Sequence, residues 1–273
     1  CSAAIVGSGG VPLLTRPFMP FLSRFLHLTE NGSYVLLTGL LCGYPMGAKT
    51  CSDFYRSGRL SYAEASRLLA FANHPSPMFL LGYTASQIAS IPGLSTSFSV
   101  WRLLLCVYLP ILPLAVLSWK VYGPAGTSEP GKEPPSKPEN TPFSLDNSII
   151  SCADTMVKIG AYIMIFSILV LYGAKIPCPS PLYRGILLSS IEITTGIQAV
   201  ALTVSGQAGA FIITMAVSFG GLSGIFQTKS VMGYAATKNA GLSIRHYVLW
   251  KLLHAFSSGL CFILTGLLVR FLG

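Results

Sequence analysis

Apolar runs recur along the whole chain, cut by short polar stretches and by glycine and proline. Residues 98–119, 153–174, 182–204, 208–226 and 243–272 are each near the roughly 20 residues that a helix needs to cross the hydrocarbon core. Trp101 and Trp119 mark the ends of the first of these as interfacial anchors. Other runs are broken. Pro12, Pro17 and Pro20 interrupt residues 1–28, and proline removes a helical hydrogen bond and clashes with the preceding turn. Residues 61–91 open on Ser61-Tyr62-Ala63-Glu64, an S-x-x-E capping box. They then break at Asn73-His74-Pro75-Ser76-Pro77. Neither part reaches about 30 Å at about 1.5 Å per residue, but together they do. On the first part, Leu68, Leu69 and Ala72 line one helical face, and Glu64 and Arg67 lie on the opposite, polar side.

The pattern predicts an all-α polytopic membrane protein of roughly eight membrane segments in two repeat halves with glycine- and proline-broken helices. The expected division is an N-terminal membrane half over 1–122, a linker over 123–142 and a C-terminal membrane half over 143–273. The linker holds six prolines and charges of both signs, too little apolar area to form a core. The 153–174 span opens with Asp154 and Lys158 at the favourable i,i+4 spacing.

Composition agrees with this class. The chain is 52% hydrophobic and 10% charged, with a mean hydropathy of +0.62. Soluble domains carry about 25% charged residues. A net charge of +9 arises from lysines and arginines gathered in loops, as the positive-inside rule describes. No basic stripe with interleaved aromatics is present, so nucleic acid is not an expected partner. Seven cysteines with no C-x-x-C pair read as buried thiols. Cys1-Ser2 would also suit the mature start of a bacterial lipoprotein. His27, His246 and His254 have no metal-like spacing, and neither a metal nor a cofactor is expected.

The centre of the sequence is Gly43-Tyr44-Pro45-Met46-Gly47-Ala48-Lys49, where an apolar run breaks and a lysine follows. A second break lies at Gly220-Gly221-Leu222-Ser223-Gly224. Aligning Gly43 with Gly221 sets Pro45 on Ser223, Lys49 on Gln227 and Thr50 on Thr228. It also sets Arg67-Leu68-Leu69 against Lys251-Leu252-Leu253. Interrupted apolar segments in corresponding halves point to a secondary-transporter binding site. Glu192 is the one carboxylate or cationic side chain between Arg184 and Lys229. On a continuous helix, Ser189, Glu192, Thr195, Gly196 and Ala199 would share a small, polar face. An intramembrane carboxylate costs about 2.5–3.5 kcal/mol and is a functional candidate by default; the structural alternative is an interhelical hydrogen bond. The candidate substrate-binding residues are therefore Gly43, Tyr44, Pro45, Gly47, Lys49, Asn73, His74, Ser76, Glu192, Thr195, Gly220, Gly221, Ser223 and Gln227.

These motifs resemble the YlbJ, or stage V sporulation protein V, family of sporulation integral membrane proteins with a nucleoside recognition Gate domain. The Gly43–Lys49 run, the 61–72 helix leading to Asn73-x-x-Ser76-Pro77, Glu192-x-Thr194-x-Gly196 and Phe219-Gly220-Gly221-Leu222-Ser223 carry the likeness, over about residues 11–91 and 147–272. One departure is His74-Pro75, which stands where the family has small residues. The resemblance implies a non-enzymatic transporter of endospore formation, located in the cell membrane or the outer forespore membrane of a spore-forming bacterium. It would move dipicolinate or a related small anion. The expected partners are that anion, the lipid bilayer, and either further copies of the chain or other sporulation membrane proteins. Two other readings stand beside it. One is a non-transporting spore-envelope assembly factor. The other is a rhomboid-like intramembrane serine protease, built on Gly221-Leu222-Ser223-Gly224 with His254 as base.

Five crossings between the 51–60 loop and the 229–242 loop (61–91, 98–119, 153–174, 182–204 and 208–226) would place those two basic loops on opposite sides of the membrane. The positive-inside rule would instead place both in the cytoplasm, which holds if 208–226 enters and leaves on the same side.

Overall fold

The computed structural model describes residues 10–94, 99–123, 144–233 and 242–272. The 123–142 linker and Cys1 fall almost entirely outside them. The described residues form helices only: α1 (Val11–Thr15), α2 (Met19–Leu26), α3 (Glu30–Cys42), α4 (Met46–Arg56), α5 (Tyr62–Phe71), a π-helical stretch (Phe79–Thr84), α6 (Ala85–Ala89), α7 (Val100–Tyr108), α8 (Ile111–Tyr122), α9 (Leu145–Gly173), α10 (Pro181–Ile191), α11 (Ile193–Thr203), α12 (Gly206–Phe219), α13 (Gly221–Met232) and α14 (Ile244–Leu272). Four described stretches are long and apolar enough to cross a membrane: Val100–Tyr122, Leu145–Gly173, Gly206–Met232 and Ile244–Val269. The rest of the apolar sequence is cut into helices of 5–13 residues. The chain divides into two compact units. One comprises Cys1–His74, Ala115–Gly160 and Gln227–Tyr247; the other comprises Pro75–Leu114, Ala161–Phe226 and Val248–Gly273.

In the first unit, α3 and α4 form an antiparallel hairpin. Thr29 starts α3 by accepting from Gly32 N at 3.1 Å, and Gly43, at φ 79°, stops it. The chain returns through a cis Tyr44–Pro45 bond into α4. Tyr34 near the start of α3 stacks on Phe54 near the end of α4, with ring centroids 5.6 Å apart. Closer to the tip the arms meet backbone to backbone. A Cβ on Gly47 would lie 3.0 Å from Gly39 Cα, and a Cβ on either glycine would overlap the Ala72 carbonyl oxygen.

Helix α5 then clamps the chain that enters this hairpin. Ser61 caps it, accepting from Glu64 N at 3.2 Å. The Glu64 carboxylate reaches away from its own helix, to Thr29 N at 2.8 Å and Thr29 Oγ1 at 3.1 Å. Arg67 donates to Leu26 O at 2.6 Å and His27 O at 3.3 Å. A carboxylate thus sits at the N-terminus of α3 and a guanidinium at the C-terminus of α2, each matched to the local helix dipole. Glu64 and Arg67 are buried, at 1% and 0% exposure, and so are Leu68, Leu69 and Ala72 on the other face of α5.

The second unit holds a hairpin where the sequence reads as one span. Residues 182–204 bend back at Glu192, whose φ of −142° and ψ of 128° are extended. Helices α10 and α11 lie antiparallel. A Cβ on Gly196 would overlap Ser189 Cα, and one on Gly185 would meet Val200 Cγ2 at 3.0 Å. The shared face expected for Ser189, Glu192, Thr195, Gly196 and Ala199 does not form, because the helix on which it depends is broken at its middle. Helices α12 and α13 belong to one 27-residue span, interrupted by two left-handed glycines, Gly220 at φ 86° and Gly221 at φ 69°.

A hairpin followed by an interrupted helix therefore occurs twice in chain order: α3/α4 then 62–89, and α10/α11 then 206–232. The equivalence of Gly43 with Gly221 is corrected accordingly, since Gly43 is at a hairpin tip and Gly221 is in the middle of an interrupted helix. The thiol reading is corrected as well. Cys51 and Cys106 are buried, but Cys42 and Cys152 are exposed, because the outward faces of these helices are apolar rather than polar.

Substituting Gly196 by Ala pushes a methyl group into the Ser189 backbone, an overpacking cost of about 1–3 kcal/mol. Gly224 is also helical, but nothing lies within 4 Å of a Cβ placed there. Gly196→Ala should lower the thermal unfolding midpoint in detergent, whereas Gly224→Ala should leave it unchanged or raise it.

Candidate functional site

The candidate residues form two clusters, one in each unit. In the first unit the helix break after α5 begins at Ala72, whose carbonyl is seated in the notch between Gly39 and Gly47. The next residue, Asn73, is 3% exposed. Its Nδ2 donates to Thr228 Oγ1 at 3.1 Å and to Tyr247 OH at 2.8 Å. Thr228 and Tyr247 are themselves 3.2 Å apart and buried. Gln227 precedes Thr228 and is buried, as is His74. At the open end of α13, Ser52 of α4 donates to Met232 O at 2.8 Å, tying the hairpin to that helix. Asn73, Thr228 and Tyr247 thus form one buried hydrogen-bonded network, with the buried His74 and Gln227 next to it in sequence. Such a network is rigid when satisfied and costly when broken.

Lys49 is placed differently from the others. Its ammonium bonds Asp53 Oδ2 at 2.9 Å, one turn along α4, and the pair is partly exposed. Pairs of this kind contribute about 0–1 kcal/mol. The charge of Lys49 is therefore shared with a carboxylate on its own helix.

In the second unit the hairpin tip is built by Glu192. One carboxylate oxygen accepts from Thr194 N at 3.1 Å; the other accepts from Thr195 N at 2.9 Å, Thr195 Oγ1 at 2.8 Å and Thr194 Oγ1 at 2.6 Å. Glu192 is 0% exposed. It serves as the N-cap of α11, satisfying amides that the start of a helix leaves without partners. The interruption between α12 and α13 lies against this tip. A Cβ on Gly221 would meet Ile191 O at 3.3 Å and Ile193 N at 3.5 Å. Tyr83, in the π-helical stretch, donates to Thr194 O at 2.6 Å. Ser76 accepts from Phe79 N at 3.2 Å and restarts the helix after the break. Tyr108 donates to Pro75 O at 2.9 Å, satisfying a carbonyl within that break.

Each tip is thus set against an interruption: Gly39 and Gly47 against Ala72, and Ile191–Ile193 against Gly221. Gly43, Tyr44, Pro45, Gly47, Asn73, His74 and Gln227 belong to the first cluster. Ser76, Glu192, Thr195, Gly220 and Gly221 belong to the second. Ser223 is buried in the first turn of α13. The Nε2 of His254 lies 2.8 Å from Val107 O.

Sequence reasoning left Thr228, Tyr247, Tyr83 and Thr194 out of the candidate site, although Thr228 stands in the aligned repeat and Thr194 in the Glu192-x-Thr194-x-Gly196 motif. Thr228 and Thr194 adjoin residues already singled out. Tyr83 and Tyr247 carry no local signal, since a tyrosine in an apolar run reads as a packing or interfacial residue.

Comparison with known proteins gives one relative. Over 84 residues, 31% of this chain, the sequence is 31% identical to the sporulation integral membrane protein YlbJ of Bacillus subtilis (strain 168), and the match covers 21% of that protein. The chain thus matches about a fifth of the length of this curated relative. No family model matches, and no solved structure matches. With four apolar helices long enough to cross a bilayer and this relative, the chain is an integral membrane protein.

Proposed function

We propose that this chain is a transporter-like membrane protein of endospore formation that carries a small anion, with dipicolinate the first candidate, across the outer forespore membrane. The observation that carries the reading is the hairpin tip set against an interrupted helix, found in each unit. Breaks of this kind free backbone N–H groups at half-helix N-termini, which suit anionic groups, within protein that shields them from lipid. The printed name of the relative, a sporulation integral membrane protein, supports the setting. No catalytic step is invoked. Dipicolinate is a planar dianion, so its carboxylates need donors. Asn73, His74, Thr228 and Tyr247 with the break backbones are the candidates in the first unit, and the freed N–H groups after Gly220 in the second. Glu192 would repel a carboxylate and serves to hold the tip.

The membrane arrangement follows from the hairpins. With 181–203 folding back on itself, crossings between the 57–61 and 233–243 loops reduce to 62–91, 100–122, 145–173 and 206–232. An even number returns the chain to the starting side. The expectation of opposite sides, which treated 182–204 as a crossing, is replaced. The two basic segments, with Arg56 and Arg59 in one and Lys229 and Lys238 in the other, then share one side, as the positive-inside bias favours.

Two measurements check these statements. Purified protein in proteoliposomes should accumulate radiolabelled dipicolinate above protein-free vesicles, saturably and with competition by other planar dicarboxylates. A protein that folds, inserts and moves none of it favours the assembly-factor reading. For topology, single cysteines at Ser57 and Thr237 on a cysteine-free background should react alike with an impermeant maleimide in oriented vesicles. Labelling of one and protection of the other would contradict the proposed arrangement.

A further inference from the structure

Helix α2 lies across the open end of the first hairpin. Its entry is fixed by Thr15, whose Oγ1 donates to Glu30 Oε1 at 3.4 Å, and Phe18 N closes the intervening turn on Thr15 O at 2.9 Å. Its exit is fixed by Arg67, which donates to Leu26 O. His27, left-handed at φ 49°, then turns the chain toward Thr29 and the first turn of α3. Both ends of α2 therefore sit at the same turn of α3. Its eight residues span about 12 Å, so a helix running along the α3 axis would carry its ends to different levels. A second element marks that level. The His27 ring is 5.4 Å from the ring of Trp119, near the end of the Val100–Tyr122 crossing, where tryptophan marks the membrane–water boundary.

The sides of α2 differ. Leu22 and Leu26 are buried and pack on the protein. Phe18 at the N-cap, Phe21 and Phe25 lie at i, i+3 and i+7, one stripe that is 52%, 50% and 61% exposed. The Phe21 and Phe25 rings are 4.9 Å apart. Ser23 and Arg24 occupy the remaining side and are exposed. The charge at this end is mainly positive. Arg16 and Arg24 are joined there by Arg56 at the end of α4, by Arg59 and by Lys120 beside Trp119, all exposed. Asn31 Nδ2 donates to Arg59 O at 3.2 Å, which keeps the 57–61 loop beside the first turn of α3. Of the neighbouring carboxylates, Glu30 accepts from Thr15 and Asp53 pairs with Lys49.

We propose that α2 is an in-plane interfacial helix that docks on the anionic phospholipid headgroups of the chain's own membrane. The phenylalanine stripe enters the boundary between headgroups and acyl chains, and Arg16 and Arg24 meet phosphate oxygens, the arrangement by which amphipathic segments lie on a bilayer surface. Charge complementarity selects the lipid: a basic surface is drawn to anionic headgroups, whereas zwitterionic lipid offers it no net charge. The effect reaches the hairpin, because Arg67 of α5 grips the exit of α2 and Glu64 of the same helix grips Thr29 at the entry to α3. Lipid bound at α2 thus braces the base of the hairpin whose Gly39 and Gly47 seat the Ala72 carbonyl. This inference is independent of what the protein carries.

The test uses the full chain, otherwise cysteine-free, with one spin label at position 18 or 25, in vesicles of phosphatidylcholine and phosphatidylglycerol. The two sites are seven residues apart on one face, so an upright helix would separate them by about 10 Å in depth. Power saturation with oxygen and a water-soluble nickel chelate should instead find both at one shallow depth. A separation near that of the upright helix overturns the in-plane placement. Labels shielded from both relaxants would mean that protein, such as a second copy of the chain, covers this face, and would overturn the lipid assignment. The headgroup is read separately, from a bimane on Ser23→Cys quenched by phosphatidylglycerol or phosphatidylcholine carrying a nitroxide high on the acyl chain. At equal mole fraction phosphatidylglycerol should quench severalfold more strongly. That preference should vanish in the Arg16→Gln/Arg24→Gln protein and in high salt, which screens exposed charge. Both arginines are exposed, so the double variant should keep its unfolding midpoint in detergent. Equal quenching by the two lipids with both arginines in place contradicts the proposal.

Discussion

Backbone hydrogen bonding at the helix breaks is the constraint on which the rest of this structure depends. Hydrocarbon offers no water to a freed carbonyl or amide, and each one left unpaired costs several kcal/mol. This chain breaks its helices repeatedly, and in each unit a hairpin tip is brought against a break. Ala72 is held between Gly39 and Gly47, and Gly221 is held against the Ile191–Ile193 turn. Both fits need the absence of a side chain. A methyl group at Gly39 or Gly47 would occupy the position of the Ala72 carbonyl oxygen.

The remaining polar interactions can be understood as supports for these fits. Glu64 and Arg67 fix the turn into the first hairpin by capping two helix ends from one side of α5. Glu192 closes the second hairpin with its own carboxylate. Asn73 anchors the far side of its break through Thr228 and Tyr247. Outside these places the helices present leucine, isoleucine and phenylalanine, the composition that lipid selects.

Much of this was legible in the sequence, and the failures share a physical cause. The all-α membrane class and the breaks at Gly43–Pro45, Asn73–Pro77 and Gly220–Gly221 were visible because glycine, proline and asparagine mark them. The Glu192 turn was not. Ile191-Glu192-Ile193 contains neither glycine nor proline, and the apolar stretch around it has the length of a single crossing. What breaks that helix is a side chain capping the next one, a signal present only as the hydroxyls of Thr194 and Thr195. Missing this turn also counted a hairpin as a single crossing. Helical periodicity separated the Glu64/Arg67 face of α5 from the Leu68/Leu69/Ala72 face but could not say that both are buried.

The account rests most heavily on the fold-back at Glu192, and spin labels can measure it in lipid. Leu182 and Leu202 are 40% and 72% exposed, near the outer ends of α10 and α11. Labels on cysteines at these two positions, in an otherwise cysteine-free protein, report the distance between those ends. Packed antiparallel helices lie about 8–10 Å apart, so strong dipolar broadening is expected. A continuous helix would hold the two sites about 30 Å apart, and a distance of that size would contradict the hairpin and the membrane arrangement derived from it.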